Sequence, residues 1–207
     1  MPAKLYFHPI SPPSRAVLIT ARHLDLDVNV KEVDLMNGET RTSEFLKMNP
    51  THTVPTFVDE DGYILYESRA ILAYLANRYG KANPTIYPTD ARARAEVDKI
   101  LFFDATSYYP ALTKAWLPLV FHNRAPTETM IEELQEKLNL LVTLLGDKPF
   151  FNGQNATIAD ISIGASAIVV QSVFPKLWPE QLNAWYERLL TAVPKMAEVN
   201  NASVNKK

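Results

Sequence analysis

Residues 1–80 read as a mixed α/β domain and residues 89–207 as an all-α domain, joined by a linker at 81–88. Three observations carry this fold class. Before residue 80, short runs with strand character alternate with helical ones. Beyond residue 88, apolar residues recur only at steps of three, four and seven. Between the two lies KANPTIYP, which is punctuated by proline and has no period.

Taken in order, Lys4–His8 is short and apolar-aromatic, as a strand is. Pro12–Leu24 carries Ala16, Val17, Ile19 and Leu24 near helical spacing, with its prolines in the first turn, where their missing N–H is tolerated. Val28–Leu35 (VNVKEVDL) alternates with the period of a half-buried strand. Ser43–Met48 reads as a short helix. Thr56–Asp59 and Tyr63–Tyr66 flank Glu60-Asp61-Gly62, and Asp-Gly signals a hairpin turn. Glu67-Ser68 then opens a helix through Tyr79, with Ile71, Leu72 and Leu75 on one face. The order is β-α-β-α-β-β-α.

In the second half, Val97, Leu101, Tyr108, Leu112, Ala115 and Leu119 make one helical stripe, within which Pro110 should kink or break the helix. Ile131, Leu134, Leu138, Leu141 and Leu145 make another. A third helix starts near Thr157, whose spacing to Asp160 is that of a capping box, and a fourth near Pro179.

Composition removes several function classes. At 47% hydrophobic and 21% charged the chain resembles an ordinary soluble protein, and its net charge of −2 offers no footprint for nucleic acid. No apolar run approaches the ~18 residues of a membrane span, and the N-terminal apolar run is too short for a secretion signal. A cytoplasmic protein without a membrane partner is expected. With Cys 0, disulfides, Cys-ligated zinc and thiol catalysis by the chain itself are excluded. The four His have no metal-ligand spacing, so no metal is expected.

One motif stands out against that background. Ser11-Pro12-Pro13-Ser14 lies between the first strand and the first helix, where a thiol–disulfide oxidoreductase would carry Cys-x-x-Cys. On local grounds Ser11 is a helix N-cap. Val54-Pro55 precedes a strand, Glu67-Ser68 opens a helix whose free N–H groups suit a carboxylate, and His52 lies in the loop before Val54.

SPPSRAVLITA at 11–21, NPTHTVPTFVD at 49–59, ESRAILAYLANRYG at 67–80 and NATIADISI at 155–163 follow one another in an order and spacing that resembles the cytosolic glutathione transferases. The match runs from about Lys4 to about residue 195. The serine opening the first helix and LFFDATSYYPALTKAWLPLVF at 101–121 are similar to the insect delta and epsilon classes. The resemblance implies a thioredoxin-like glutathione-binding domain, a helical domain that forms the hydrophobic substrate pocket, and a homodimer. It implies no cofactor, with glutathione as co-substrate and hydrophobic electrophiles as partners, the chemistry of detoxification. It further implies that Ser11 donates to the glutathione thiolate and that Val54-Pro55 is cis, with the Val54 backbone binding the cysteinyl part. Glu67 and Ser68, with Arg69 beside them, would hold the γ-glutamyl end, and His52 the glycyl carboxylate. Delta-class members often carry a second His after Gly38; here the run is Gly38-Glu39-Thr40-Arg41, and Arg41 is the candidate replacement charge.

Tyr108, Tyr109, Leu112, Trp116, Leu117 and Phe121 are the candidate walls of the electrophile pocket. Asp104, inside the same stripe, needs a partner: either Arg69, or the glutathione amine across a subunit boundary. The competing function is a non-catalytic carrier of hydrophobic ligands on the same fold. A thiol–disulfide or dehydroascorbate reductase is excluded, because it needs a protein cysteine.

Overall fold

The computed structural model describes residues 2–204, with side chains through residue 201. Four strands, β1 (Ala3–Phe7), β2 (Val28–Glu32), β3 (Thr56–Val58) and β4 (Ile64–Tyr66), form one mixed sheet in the order β2-β1-β3-β4. β1 and β2 are parallel, as their helical crossover requires, and the other pairs are antiparallel. The connecting helices are α1 (Pro12–His23), α2 (Ser43–Met48) and α3 (Ser68–Tyr79). Val17 and Ile19 of α1 and Ile71, Leu72 and Leu75 of α3 are buried in one core with Leu5 and Phe57 of the sheet.

β2 ends three residues before the alternation does. The Val33 N–H still pairs with the Phe7 carbonyl at 2.8 Å, but Asp34 then accepts from the backbone and side chain of Asn37. That local turn outcompetes further ladder pairing. The β3–β4 hairpin closes as the Asp-Gly signal predicts, with Gly62 at φ +87°, a conformation that disfavours any side chain. The buried Asp59 carboxylate at the start of that turn accepts from the hydroxyls of Tyr74 and Tyr79, which ties α3 to the hairpin.

The helical part comprises α4 (Ala91–Phe103), α5 (Tyr109–His122), α6 (Glu128–Leu145), α7 (Ile158–Val173), α8 (Asn183–Ala192) and α9 (Lys195–Val204). Pro110 does not break the chain between α4 and α5. A π-helical turn at Asp104–Tyr108 joins them, and Pro110 falls in the first turn of α5. The wider turn removes the register in which the proline ring would meet the carbonyl four residues back. α9, which the sequence pattern does not announce, follows Pro194 and packs Met196, Val199 and Asn200 inward.

α7 is the central element, buried along almost its whole length. The predicted capping pair opens it: Asp160 Oδ2 accepts from Thr157 N–H and Oγ1, both at 2.9 Å. Its other oxygen accepts from Phe151 N–H and Trp185 Nε1, each at 3.0 Å. Within the segment 81–88, Ile86 is buried and its carbonyl accepts from Ile158 N–H at 3.0 Å, which docks this stretch on the start of α7.

Candidate active site

The sheet register brings the three motifs together. Tyr6, Thr56 and Tyr66 stand in line across β1, β3 and β4. Because β3 is antiparallel to its neighbours, the chain leaves β1 toward Ser11, enters β3 from Val54-Pro55 and leaves β4 toward Glu67-Ser68 at the same end of the sheet.

Ser11 is half-buried and caps α1, its Oγ accepting from Ser14 N–H at 3.3 Å. A hydroxyl that accepts there keeps its own proton for a second partner. The first turn itself offers no free backbone N–H. Pro12 and Pro13 have none, Ser14 N–H goes to Ser11 Oγ, and Arg15 N–H goes to the Ser11 carbonyl at 3.0 Å. Ser14 is fully buried and its Oγ has no partner, so it does not present a hydroxyl beside Ser11 at the surface.

The loop before β3 is organised by Asn49, a residue that sequence reasoning missed. Asn49 is fully buried; its Nδ2 donates to Thr53 O and Thr56 Oγ1, and its Oδ1 accepts from Thr51 N–H and Oγ1. An Asn before Pro50 at the end of a short helix is the turn signal that would have found it. The loop holds half-buried His52 at φ 48°, its N–H bonded to Asn49 O at 3.0 Å. The Val54-Pro55 bond is cis, and Val54 lies outside the ladder, which begins at Thr56. Arg41 is exposed on a short 3₁₀ turn, Glu39–Arg41.

At the third corner, Glu67 is exposed at φ 69° and Ser68 is the first, buried residue of α3. Arg69 ties this corner to the helical part. Its Nη1 donates to Ser68 Oγ at 2.9 Å, while Nε and Nη2 donate to Asp104 Oδ2 at 3.1 and 2.7 Å. Of the two partners expected for Asp104, the structure therefore supplies Arg69. Asp104 is completely enclosed, and Ser162 Oγ on α7 donates to the same oxygen at 2.6 Å. The Arg69 guanidinium also stacks on Tyr109, 5.0 Å from the ring centroid.

The aromatic segment divides. Tyr109 and Leu117 are half-buried and Phe121 is exposed, whereas Trp116 is almost covered. Tyr108 and Leu112 are 0% exposed and pack in the core, so in this structure they wall no cleft. Their step of four continues the core stripe from Val97 and Leu101, which points them inward. A separate groove of about 410 Å³ lies between α3 and α4, lined by Glu67, Arg69, Ala70, Ala73, Leu101 and Phe102 among others. Among the described residues, no three His, Asp or Glu side chains group as metal ligands.

Residues 1–77 match the family described as glutathione S-transferase, N-terminal domain. Over 198 residues the chain is 34% identical to glutathione S-transferase D7 of Drosophila melanogaster, covering 93% of this chain and 84% of that one. It is 37% identical to glutathione S-transferase 2 of Anopheles gambiae, covering 91% and 90%. A delta-class glutathione transferase structure from Nilaparvata lugens superposes with a TM-score of 0.89 at 36% identity, covering 99% of this chain and 95% of that one. A serine cap, a cis Val54-Pro55 and a polar α3 start at one end of a β2-β1-β3-β4 sheet sit within that shared fold, and the chain belongs to the glutathione S-transferase family.

Proposed function

We propose that this chain conjugates the sulfur of glutathione to hydrophobic electrophiles, with the Ser11 hydroxyl donating to the thiolate. The observation that carries the reading is the state of Ser11: its Oγ accepts from Ser14 N–H, so its proton is available where the chain leaves β1. A free thiol of pKa ~8.5 is only a few per cent ionised at neutral pH. A hydroxyl donating to the anion is worth about 1.5–3 kcal/mol, or about 1–2 pKa units. The remaining acceleration comes from holding thiolate and electrophile together.

Glutathione would lie along the sheet end as an extended tripeptide. The Val54 backbone, outside the ladder, takes the cysteinyl part by strand-like pairing. Glu67 and Ser68, with Arg69 behind them, take the γ-glutamyl end, and His52 with Arg41 the glycyl carboxylate. Tyr109, Leu117 and Phe121 supply the apolar wall for a flat electrophile. This wall connects to the glutathione corner through the Arg69–Tyr109 stack. A homodimer is the proposed assembly; Phe102, 69% exposed beside Ala70, Ala73 and Leu101 in the α3–α4 groove, supports a contact there.

Ultraviolet titration of glutathione bound to the wild type and to Ser11→Ala tests the reading. A bound thiol pKa of about 6–7 is expected in the wild type, rising by about 1–2 units in the variant. Tight binding with an unshifted thiol would instead favour a non-catalytic carrier.

A further inference from the structure

The blocked first turn of α1 poses an electrostatic problem. A helix N-terminus ordinarily receives an anion on its free N–H groups. Here two prolines and two internal bonds leave none, yet the anion must form beside Ser11. Directly beneath this turn sits a positive charge that the reaction scheme has not used.

Arg15 is 2% exposed. Its Nη1 donates to the carbonyls of Pro9 and Ile10 at 2.8 and 3.3 Å, the two residues that lead into Ser11. Its Nη2 donates to Ala165 O on α7 at 2.7 Å, and its Nε to Asn200 Oδ1 on α9 at 3.0 Å. Among the described residues, every acceptor bonded to this guanidinium is neutral. Such isolation is unusual, since a buried charge normally has an opposite charge beside it. Burial lowers the Arg15 pKa to about 10, which still leaves it cationic at neutral pH.

The groups around it do not offset the charge. Tyr109 from α5 and Tyr186 from α8 are the titratable groups that face it, and burial raises both, so both are neutral. His8 on the same loop uses Nδ1 to accept from Ile10 N–H. Glu198 of α9 is engaged at the surface with Arg22. Tyr109 also stacks with Arg69, whose charge is matched by Asp104.

We infer that Arg15 is a positioning residue for the thiolate: it holds the Pro9–Ile10 carbonyls that set Ser11, and its unmatched charge supplies the field that the proline-blocked helix turn lacks. The inference rests on the proposed role of Ser11. A unit charge on the order of 10 Å away, in an effective dielectric of about 20, moves a pKa by about one unit. Arg15 would thus add to what the Ser11 hydroxyl provides.

Asn200→Asp is the decisive variant. It keeps the shape and the acceptor for Arg15 Nε, leaves all three carbonyl bonds in place, and sets a carboxylate against the guanidinium. Asn200 Nδ2 now donates to the Tyr186 hydroxyl at 3.3 Å and to Gly164 O at 3.5 Å; in the variant the hydroxyl can turn and donate to the new oxygen, and the longer bond to Gly164 O is lost. In the folded variant, confirmed by circular dichroism, the bound glutathione thiol should titrate about one unit higher than in the wild type. Arg15→Gln, which removes the charge, should do the same. A purely structural Arg15 predicts otherwise: Asn200→Asp, which keeps every Arg15 bond, would leave the thiol pKa at the wild-type value. That result overturns the inference. An unshifted thiol in the wild type itself would overturn the Ser11 reading first.

Discussion

Cutting the Arg69–Asp104 pair should cost far more than a surface ion pair, and the cost should be largely recovered when both partners go. Asp104 is completely enclosed, the Arg69 side chain is only 17% exposed, and one carboxylate oxygen takes three donors. Removing one partner of such a pair leaves a buried charge unmatched, at about 3–5 kcal/mol. Arg69→Met and Asp104→Leu should each lose about that much of a total stability on the order of 10 kcal/mol. The double variant should lose clearly less than the sum, because two apolar side chains of similar volume replace the pair. Urea unfolding followed by far-ultraviolet circular dichroism measures all four corners of the cycle, and equal slopes confirm that the same transition is compared. Arg69→Met should also weaken glutathione binding, since Nη1 no longer orients Ser68 Oγ. Single losses below about 1 kcal/mol, or a double loss equal to the sum, would refute the reasoning.

Asp160→Ala removes the acceptor of four buried donors; with about 1 kcal/mol for each, Tm should fall by roughly 10 °C in differential scanning calorimetry. Tyr108→Phe deletes a buried hydroxyl with no partner, so stability should hold or rise by up to about 1 kcal/mol and turnover should not change; a large loss of turnover would return Tyr108 to the cleft. Burial lowers the His23 pKa below its ordinary value, so folding favours the neutral ring. Its contribution is therefore complete above pH ~6.5 and is lost as pH falls toward the folded-state value, and His23→Gln should flatten that part of the urea-midpoint profile.

What the sequence made legible was local. Asp61-Gly62 and Thr157–Asp160 announce a turn and a cap because each device is complete within four residues. The β2 overrun has the same origin seen from the other side: VDL continues the alternation, but the Asp34–Asn37 bonds end the strand. Tyr108 and Leu112 share the step of four that also places Val97 and Leu101, and periodicity alone does not say whether a stripe faces a core or a cleft. The π turn at Asp104–Tyr108 leaves no compositional mark. Asn200 was opaque for a different reason: its partner Arg15 is 185 residues away, and a polar residue in a weak stripe announces nothing until that partner is known.

The two serine corners of the proposed site are supported in the same way, and this bears on what the helical half contributes. Ser11 is followed four residues on by Arg15, and Ser68 directly by Arg69. Each arginine reaches back to its corner, to the Pro9 and Ile10 carbonyls in one case and to Ser68 Oγ in the other. Arg15 then bonds α7 directly, and Arg69 is linked to it through Asp104. Arg15 ends on the Ala165 carbonyl, and Arg69 ends on Asp104, which Ser162 holds. Residues 162 and 165 lie one turn apart on α7 and so share a face. One almost wholly buried helix is thereby bonded to Arg15 and to the partner of Arg69. The end of a small four-stranded sheet would otherwise present three loops free to move independently. A shift of α7 would displace both corners together, so substitutions along its 162–165 face should change glutathione affinity and thiol ionisation in parallel rather than one at a time.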